Sequence, residues 1–133
     1  GHSTLKLKSD DKIKRVVMCS GKVYFDLLAE RDAKGLDDVY LLRIEQLYPV
    51  PSEPLKVELA RFKGAEMVWC QEEPKNMGAW FHMEPELEQL LIAIGAKNTR
   101  ARYAGRVASA SPATGLASKH KSEQQALVNE ALG

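Results

Sequence analysis

Residues 14–35 read KRVVMCSGKVYFDLLAERDAKG, and the order of patterns within them decides the fold. A short apolar run, Val16-Val17-Met18-Cys19, stops at Ser20-Gly21. Val23, Leu27 and Leu28 then recur at helical spacing, and Gly35 closes the segment. A β-branched run bounded by a Ser-Gly break predicts a buried parallel strand. The following spacing predicts a helix with one apolar face, and a glycine just past its end suits the C′ position.

The same alternation continues outward. Val39 to Glu45, VYLLRIE, is a second predicted strand. A Pro49-Val50-Pro51 turn follows, with Ser52 placed to cap a helix that carries Pro54 in its first turn. Leu55, Leu59 and Phe62 face the core from that helix, and Gly64 ends it. Glu66 to Gln71, EMVWCQ, is the third strand, and residues 72–78, EEPKNMG, are a loop. Residues 79–94 place Trp80, Met83, Leu87, Leu90, Leu91 and Ile94 at helical spacing. Pro85 is expected to split this stretch into a turn and a longer helix. Residues 100–107 form a weaker fourth strand. A small-residue loop leads to a last helix lined by Ala117, His120, Gln124, Leu127, Val128 and Ala131. Crossovers of this length join parallel strands, so the expected fold is α/β, a mostly parallel sheet flanked by helices on both faces. Ligand sites in such folds lie at the C-terminal ends of the strands.

Composition narrows the function. At 133 residues the chain suits one core, and 44% hydrophobic with 28% charged residues is ordinary for a globular domain. Nineteen Lys and Arg against eighteen Asp and Glu leave no broad charge footprint for nucleic acid or an anionic membrane. No apolar run approaches the ~20 residues of a membrane helix. Cys19 and Cys70 form neither a CxxC pair nor a metal-ligand spacing and read as reduced core thiols. Gly1-His2-Ser3 lacks an initiator Met and resembles an expression scar. Residues 1–13 are therefore expected to be a tag remnant and surface tether cut from a larger protein, and 14–133 the domain.

Two strand-to-helix turns are candidates for binding an anion. Ser20-Gly21-Lys22 can present backbone N–H groups at a helix N-terminus, although GxxxxGK[ST] is absent. Its plainer reading is a tight turn with Ser20 as N-cap. Residues 109–115 (Ser109, Ser111 and Thr114 among them) form the second turn, with Arg106 and Lys119 supplying positive charge. Here the alternative is a capped, packed loop. Glu72 and Glu73 are adjacent, so on a strand they point to opposite faces and converge poorly for acid–base work. The three histidines are scattered, and no nucleophile–base pair or metal set emerges. Trp80, Phe81 and Met83 either complete the core or cover a partner surface.

Taken together, RVVMCSGKVYFDL, LLRIEQLYPVP, WCQEEPKNMGAW, YAGRVASASPATG and the EQQALVNEAL helix resemble the extreme C-terminal region of the 2-oxoglutarate dehydrogenase E1 family. The likeness runs from about Lys14 to Gly133. It implies a transketolase C-terminal type of fold, a Rossmann-like sheet packed at a homodimer interface. It further implies a parent enzyme of the citric acid cycle that uses thiamine diphosphate and Mg2+. That enzyme decarboxylates 2-oxoglutarate and passes the succinyl group to the lipoyl arm of an E2 succinyltransferase, with E3 as the third component. The expected location is the cytoplasm of a bacterium or the mitochondrial matrix. The family's GDG diphosphate motif and active-site histidines are missing here, so no cofactor is expected on this chain and no activity from it alone. Relatives carry a nucleotide or acetyl-CoA effector site, to which Arg106 is the nearest match and Ser20 a weaker one. The alternative is a free-standing nucleotide-binding module with the Ser20 and Arg106 turns as its primary site.

Overall fold

A computed structural model of the chain describes residues 5–107 and 117–133. Four strands, β1 (Arg15–Cys19), β2 (Val39–Arg43), β3 (Glu66–Pro74) and β4 (Arg102–Arg106), form one parallel sheet in the order β2-β1-β3-β4. The helices α1 (Val23–Ala33), α2 (Ser52–Leu59), α3 (Trp80–Ala93) and α4 (Ala117–Leu132) alternate with them.

Side-chain alternation along the strands sorts the core into two layers. Val17, Cys19, Val68, Cys70 and Ala104 pack against Leu27 of α1 and Leu127 and Val128 of α4. Val16, Met18, Met67 and Trp69 project the other way, onto Leu55 and Leu59 of α2 and Met83, Leu87 and Leu91 of α3. The central strand β1 is thus buried on both faces, which is why its sequence is continuously apolar rather than alternating. Each large side chain so buried contributes about 1.5–3 kcal/mol relative to exposure.

Several local expectations are corrected. Pro85 does not split its helix: α3 runs unbroken through it. The proline forfeits one N–H bond early in the helix, while Trp80 and Met83 before it and Leu87, Leu90 and Leu91 after it are all anchored in the core. Lys22, not Ser20, occupies the N-cap of α1, and Ser52 is the first helical residue of α2 rather than its cap. The third strand runs on to Pro74 instead of stopping at Gln71. A register shift between Gln71 and Pro74 in its pairing with β4 inserts Glu72 and Glu73 as a bulge.

Residues 5–13 do cross the surface, but they are held there. Ile13 is buried, Leu7 packs against the α2/α3 layer, and Lys8 N–H bonds the Asp37 carbonyl at 2.8 Å. Arg61 grips Asp10 through Nε at 2.9 Å and Nη2 at 3.1 Å. Trp80 and Met83 are core residues, 4% and 0% exposed, and so cannot cover a partner. They turn inward because their helical spacing matches that of Leu87 and Leu91. Phe81, one residue out of phase, is 61% exposed.

Candidate functional site

The C-terminal ends of β1, β3 and β4 converge on one polar network. Arg106, the last residue of β4, points its guanidinium at α4 and at the bulge. Its Nε donates to Glu123 Oε2 at 3.1 Å, its Nη2 to Gln124 Oε1 at 3.2 Å and its Nη1 to the Glu72 backbone carbonyl. The side chain is 13% exposed, so these charge-assisted bonds hold the fork in place. Glu72 faces inward from the bulge. Its Oε1 accepts from Gln124 Nε2 at 2.7 Å and from Lys22 Nζ at 3.2 Å. Gln124 Nε2 also donates to Asp26 Oδ2 on α1 at 2.9 Å. Glu73, its neighbour, lies exposed.

The structure therefore joins Lys22 and Arg106 in one cluster, bridged by Glu72 and Gln124. Ser20 sits directly after β1, beside this cluster in sequence. Ser109, Ser111 and Thr114 lie outside the described residues. Lys119 belongs to α4, but its side chain also lies outside the description. Within the described cluster two cations, Lys22 and Arg106, meet three carboxylates, Asp26, Glu72 and Glu123, for a formal charge of −1. An incoming anion must thus compete with carboxylates already in place. The Lys22–Glu72 pair is the weaker obstacle, because Lys22 is 80% exposed and solvent screens it. A groove of about 350 Å³ between α1 and α4 adjoins the network, lined by Asp26, Glu30, Lys121, Gln124 and Gln125 with Val128 also contributing.

Beneath the network a second buried set shapes the strand end. Gln71 is 3% exposed. Its Oε1 accepts from Trp69 Nε1 at 2.9 Å and from the Trp80 N–H at 3.0 Å. Its Nε2 donates to the carbonyls of Met77 at 2.8 Å, Pro74 at 3.0 Å and Glu73 at 3.2 Å. One amide thus folds residues 72–78 back onto the start of α3. Gly105 and Gly78 permit this closeness: a Cβ on Gly105 would stand 2.8 Å from the Gln71 carbonyl, and Gly78 has φ +69°. Tyr103 Oη donates to the Arg106 carbonyl at 2.5 Å, and burial pushes its pKa up to about 12.

Sequence reasoning missed Gln71, Asp26, Glu123 and Gln124. The signal for Gln71 was a polar residue ending the apolar run MVWC. For Glu123 and Gln124 it was a polar pair one turn before the buried Leu127 and Val128. Cys19 and Cys70 are register partners on β1 and β3, both fully buried. Burial pushes the Cys19 thiol up to about 12, against a small opposing pull from Arg43, and raises Cys70 further. Neither is a thiolate at neutral pH. Among the described residues no group of three or more His, Cys, Asp or Glu could hold a metal ion.

Comparison with known proteins supplies the context for this site. A 2-oxoglutarate dehydrogenase C-terminal family model matches residues 2–132. The chain is 63% identical over 129 residues to the 2-oxoglutarate dehydrogenase E1 components of Brucella anthropi and Brucella ovis, a match covering 97% of this chain. It spans only 13% of the length of these relatives. With the family model covering the α/β domain from end to end, the chain belongs to the 2-oxoglutarate dehydrogenase C-terminal family.

Proposed function

We propose that the chain serves as the C-terminal assembly and effector domain of an E1-type 2-oxoglutarate dehydrogenase. The longer protein decarboxylates 2-oxoglutarate and transfers the succinyl group to lipoyl-E2, as a homodimer working with E2 and E3 in the cytoplasm. The co-linear match over residues 2–132 carries this reading. A free-standing nucleotide-binding module finds no support, since the chain covers 13% of each of these relatives. No helix among the described residues is long and apolar enough to cross a membrane.

Thiamine diphosphate and Mg2+ do not fit the described residues. They include no cluster of metal-ligating side chains, and the carboxylates at the strand ends are engaged with Lys22, Gln124 and Arg106. The cofactor therefore belongs, on this reading, to regions of the E1 protein outside this chain. Calorimetric titration of the chain with thiamine diphosphate and Mg2+ is expected to give no heat of binding. The intact E1 protein is expected to reduce ferricyanide in a 2-oxoglutarate-dependent manner. Micromolar cofactor binding by the chain alone, worth about 8 kcal/mol, would refute the assignment.

The effector role falls to the network around Arg106. A phosphate-bearing ligand there would take over the guanidinium from Glu123 and Gln124, so affinity is held to about the millimolar to high-micromolar range. An NMR titration with AMP or acetyl-CoA, run on wild type and on Arg106→Ala, tests this. Shifts at Lys22, Glu72 and Gln124 that vanish in the variant are the expected result. Identical titrations in both proteins would make Arg106 purely structural.

A further inference from the structure

Helix α4 is anchored in two different ways along its length. Its C-terminal half buries Leu127, Val128, Ala131 and Leu132 against the strands and α1. Polar ties add to this packing. Lys34 Nζ donates to Asn129 Oδ1 at 3.1 Å, Arg102 Nη2 to the Glu130 carbonyl at 3.2 Å and Arg15 Nη1 to the Leu132 carbonyl. No residue from 121 to 126 is buried: Lys121, Ser122, Gln125 and Ala126 are exposed, and Glu123 and Gln124 are half-buried. Between this half and α1 lies the groove of about 350 Å³ rather than a packed apolar contact.

Glu123 and Gln124 carry this half to the sheet. Glu123 Oε2 accepts from Arg106 Nε at 3.1 Å and Gln124 Oε1 from Arg106 Nη2 at 3.2 Å. Gln124 Nε2 donates to Glu72 Oε1 at 2.7 Å and, across the groove, to Asp26 Oδ2 at 2.9 Å. Two adjacent residues thus tie the helix to β4, to the β3 bulge and to α1. The guanidinium that would receive a ligand phosphate is the same one that holds the helix. A phosphate on that fork would stand beside the Glu123 carboxylate, and like charges so placed repel.

We infer that Glu123 and Gln124 form a clasp on the first half of α4, and that a phosphate-bearing ligand at Arg106 opens it. The device rests on the effector reading above and supplies its output. With Arg106 given to the ligand, residues 121–126 lose their hold on β4 while residues 127–132 stay packed. The break falls between Ala126 and Leu127, where exposure gives way to burial. A helical end without a packed face frays, because short helices are marginal in water. Binding at the strand ends is thereby converted into a change of order in the helix beside the groove.

Residue-resolved amide hydrogen exchange by NMR tests the clasp. Glu123→Ala/Gln124→Ala places the better helix former at both positions, so a segment held by helix propensity alone would exchange more slowly. The clasp predicts the opposite sign, with amides of residues 121–126 exchanging about tenfold faster once the charge-assisted bond is gone. Ala131 and Leu132, whose N–H groups bond carbonyls of the packed half, should keep their rates. Gln125→Ala removes a side chain that bonds Asn129 within the helix at 3.1 Å, and it should not speed exchange. In wild type, AMP as the phosphate-bearing probe should likewise speed residues 121–126. In Arg106→Ala, already fast without it, AMP should add nothing. Exchange in the double variant at or below the wild-type rate would overturn the inference. Equal acceleration by Gln125→Ala would mean general fraying and overturn it too. AMP shifts at Lys22 and Glu72 without faster exchange at residues 121–126 would sink the clasp and leave the effector reading standing. No AMP shift at either residue refutes the effector reading itself, and the coupling with it.

Discussion

Replacing Gln71 with Leu keeps a side chain of similar bulk in the core but deletes every hydrogen bond the amide makes. Trp69 Nε1–H and the Trp80 N–H lose their shared acceptor, and both bonds are buried. A buried donor left without a partner costs about 1–3 kcal/mol, so the pair amounts to about 2–6 kcal/mol. The acceptor side matters less, since the Pro74 carbonyl keeps its bond from the Met77 N–H at 2.8 Å. Domains of this kind are stable by about 5–15 kcal/mol, so the variant should fold with a large part of its margin gone. With a urea m-value of about 2 kcal/mol/M, the midpoint should fall by about 1–3 M. Urea unfolding followed by circular dichroism and by fluorescence of the two tryptophans measures it. A loss below about 1 kcal/mol at unchanged m would show that the bonds around Gln71 are readily replaced by water, refuting the reasoning.

Three further outcomes follow from the same geometry. Gly105→Ala places a Cβ 2.6 Å from Tyr103 Oη and 2.8 Å from the Gln71 carbonyl, and should cost about 1–3 kcal/mol in the same urea assay. For Glu66, burial alone would raise the pKa, but hydrogen bonds from Arg15 and Arg102 outweigh it and hold the carboxyl below its usual range. A depressed folded-state pKa stabilises above the unfolded value and fades as pH drops through the folded one. Melting temperature should therefore fall below the ordinary glutamate range, and less steeply in Glu66→Gln; parallel wild-type and variant curves would contradict this. Cys19 and Cys70 should resist Ellman's reagent at pH 8 in the native protein and yield two equivalents in denaturant; rapid native labelling would mean that the β1–β3 core opens readily.

The fold was legible in the sequence because its signals are local and repeated. The run Val16–Cys19, the Ser20-Gly21 break and the spacing of Val23 and Leu27 follow from covalent chirality and burial alone, and the same punctuation recurs down the chain. The family was legible for a similar reason, in stretches such as QEEPKNMGAW and LYPVP. What the sequence could not fix was anything requiring two distant segments to meet. The strand order β2-β1-β3-β4 depends on which hydrophobic edges pair, and Pro85 is tolerated because residues on both sides of it are anchored in a core that no local window contains. Trp80 and Phe81 are adjacent and similar in hydrophobicity, yet one is buried and the other exposed, because helix phase against the sheet decides between them. Arg106 likewise read as a free cation beside a small-residue loop. Only the folded chain brings Glu123 and Gln124 of α4, 17 and 18 residues further on, within bonding distance of its guanidinium and turns an apparent anion site into a compensated network.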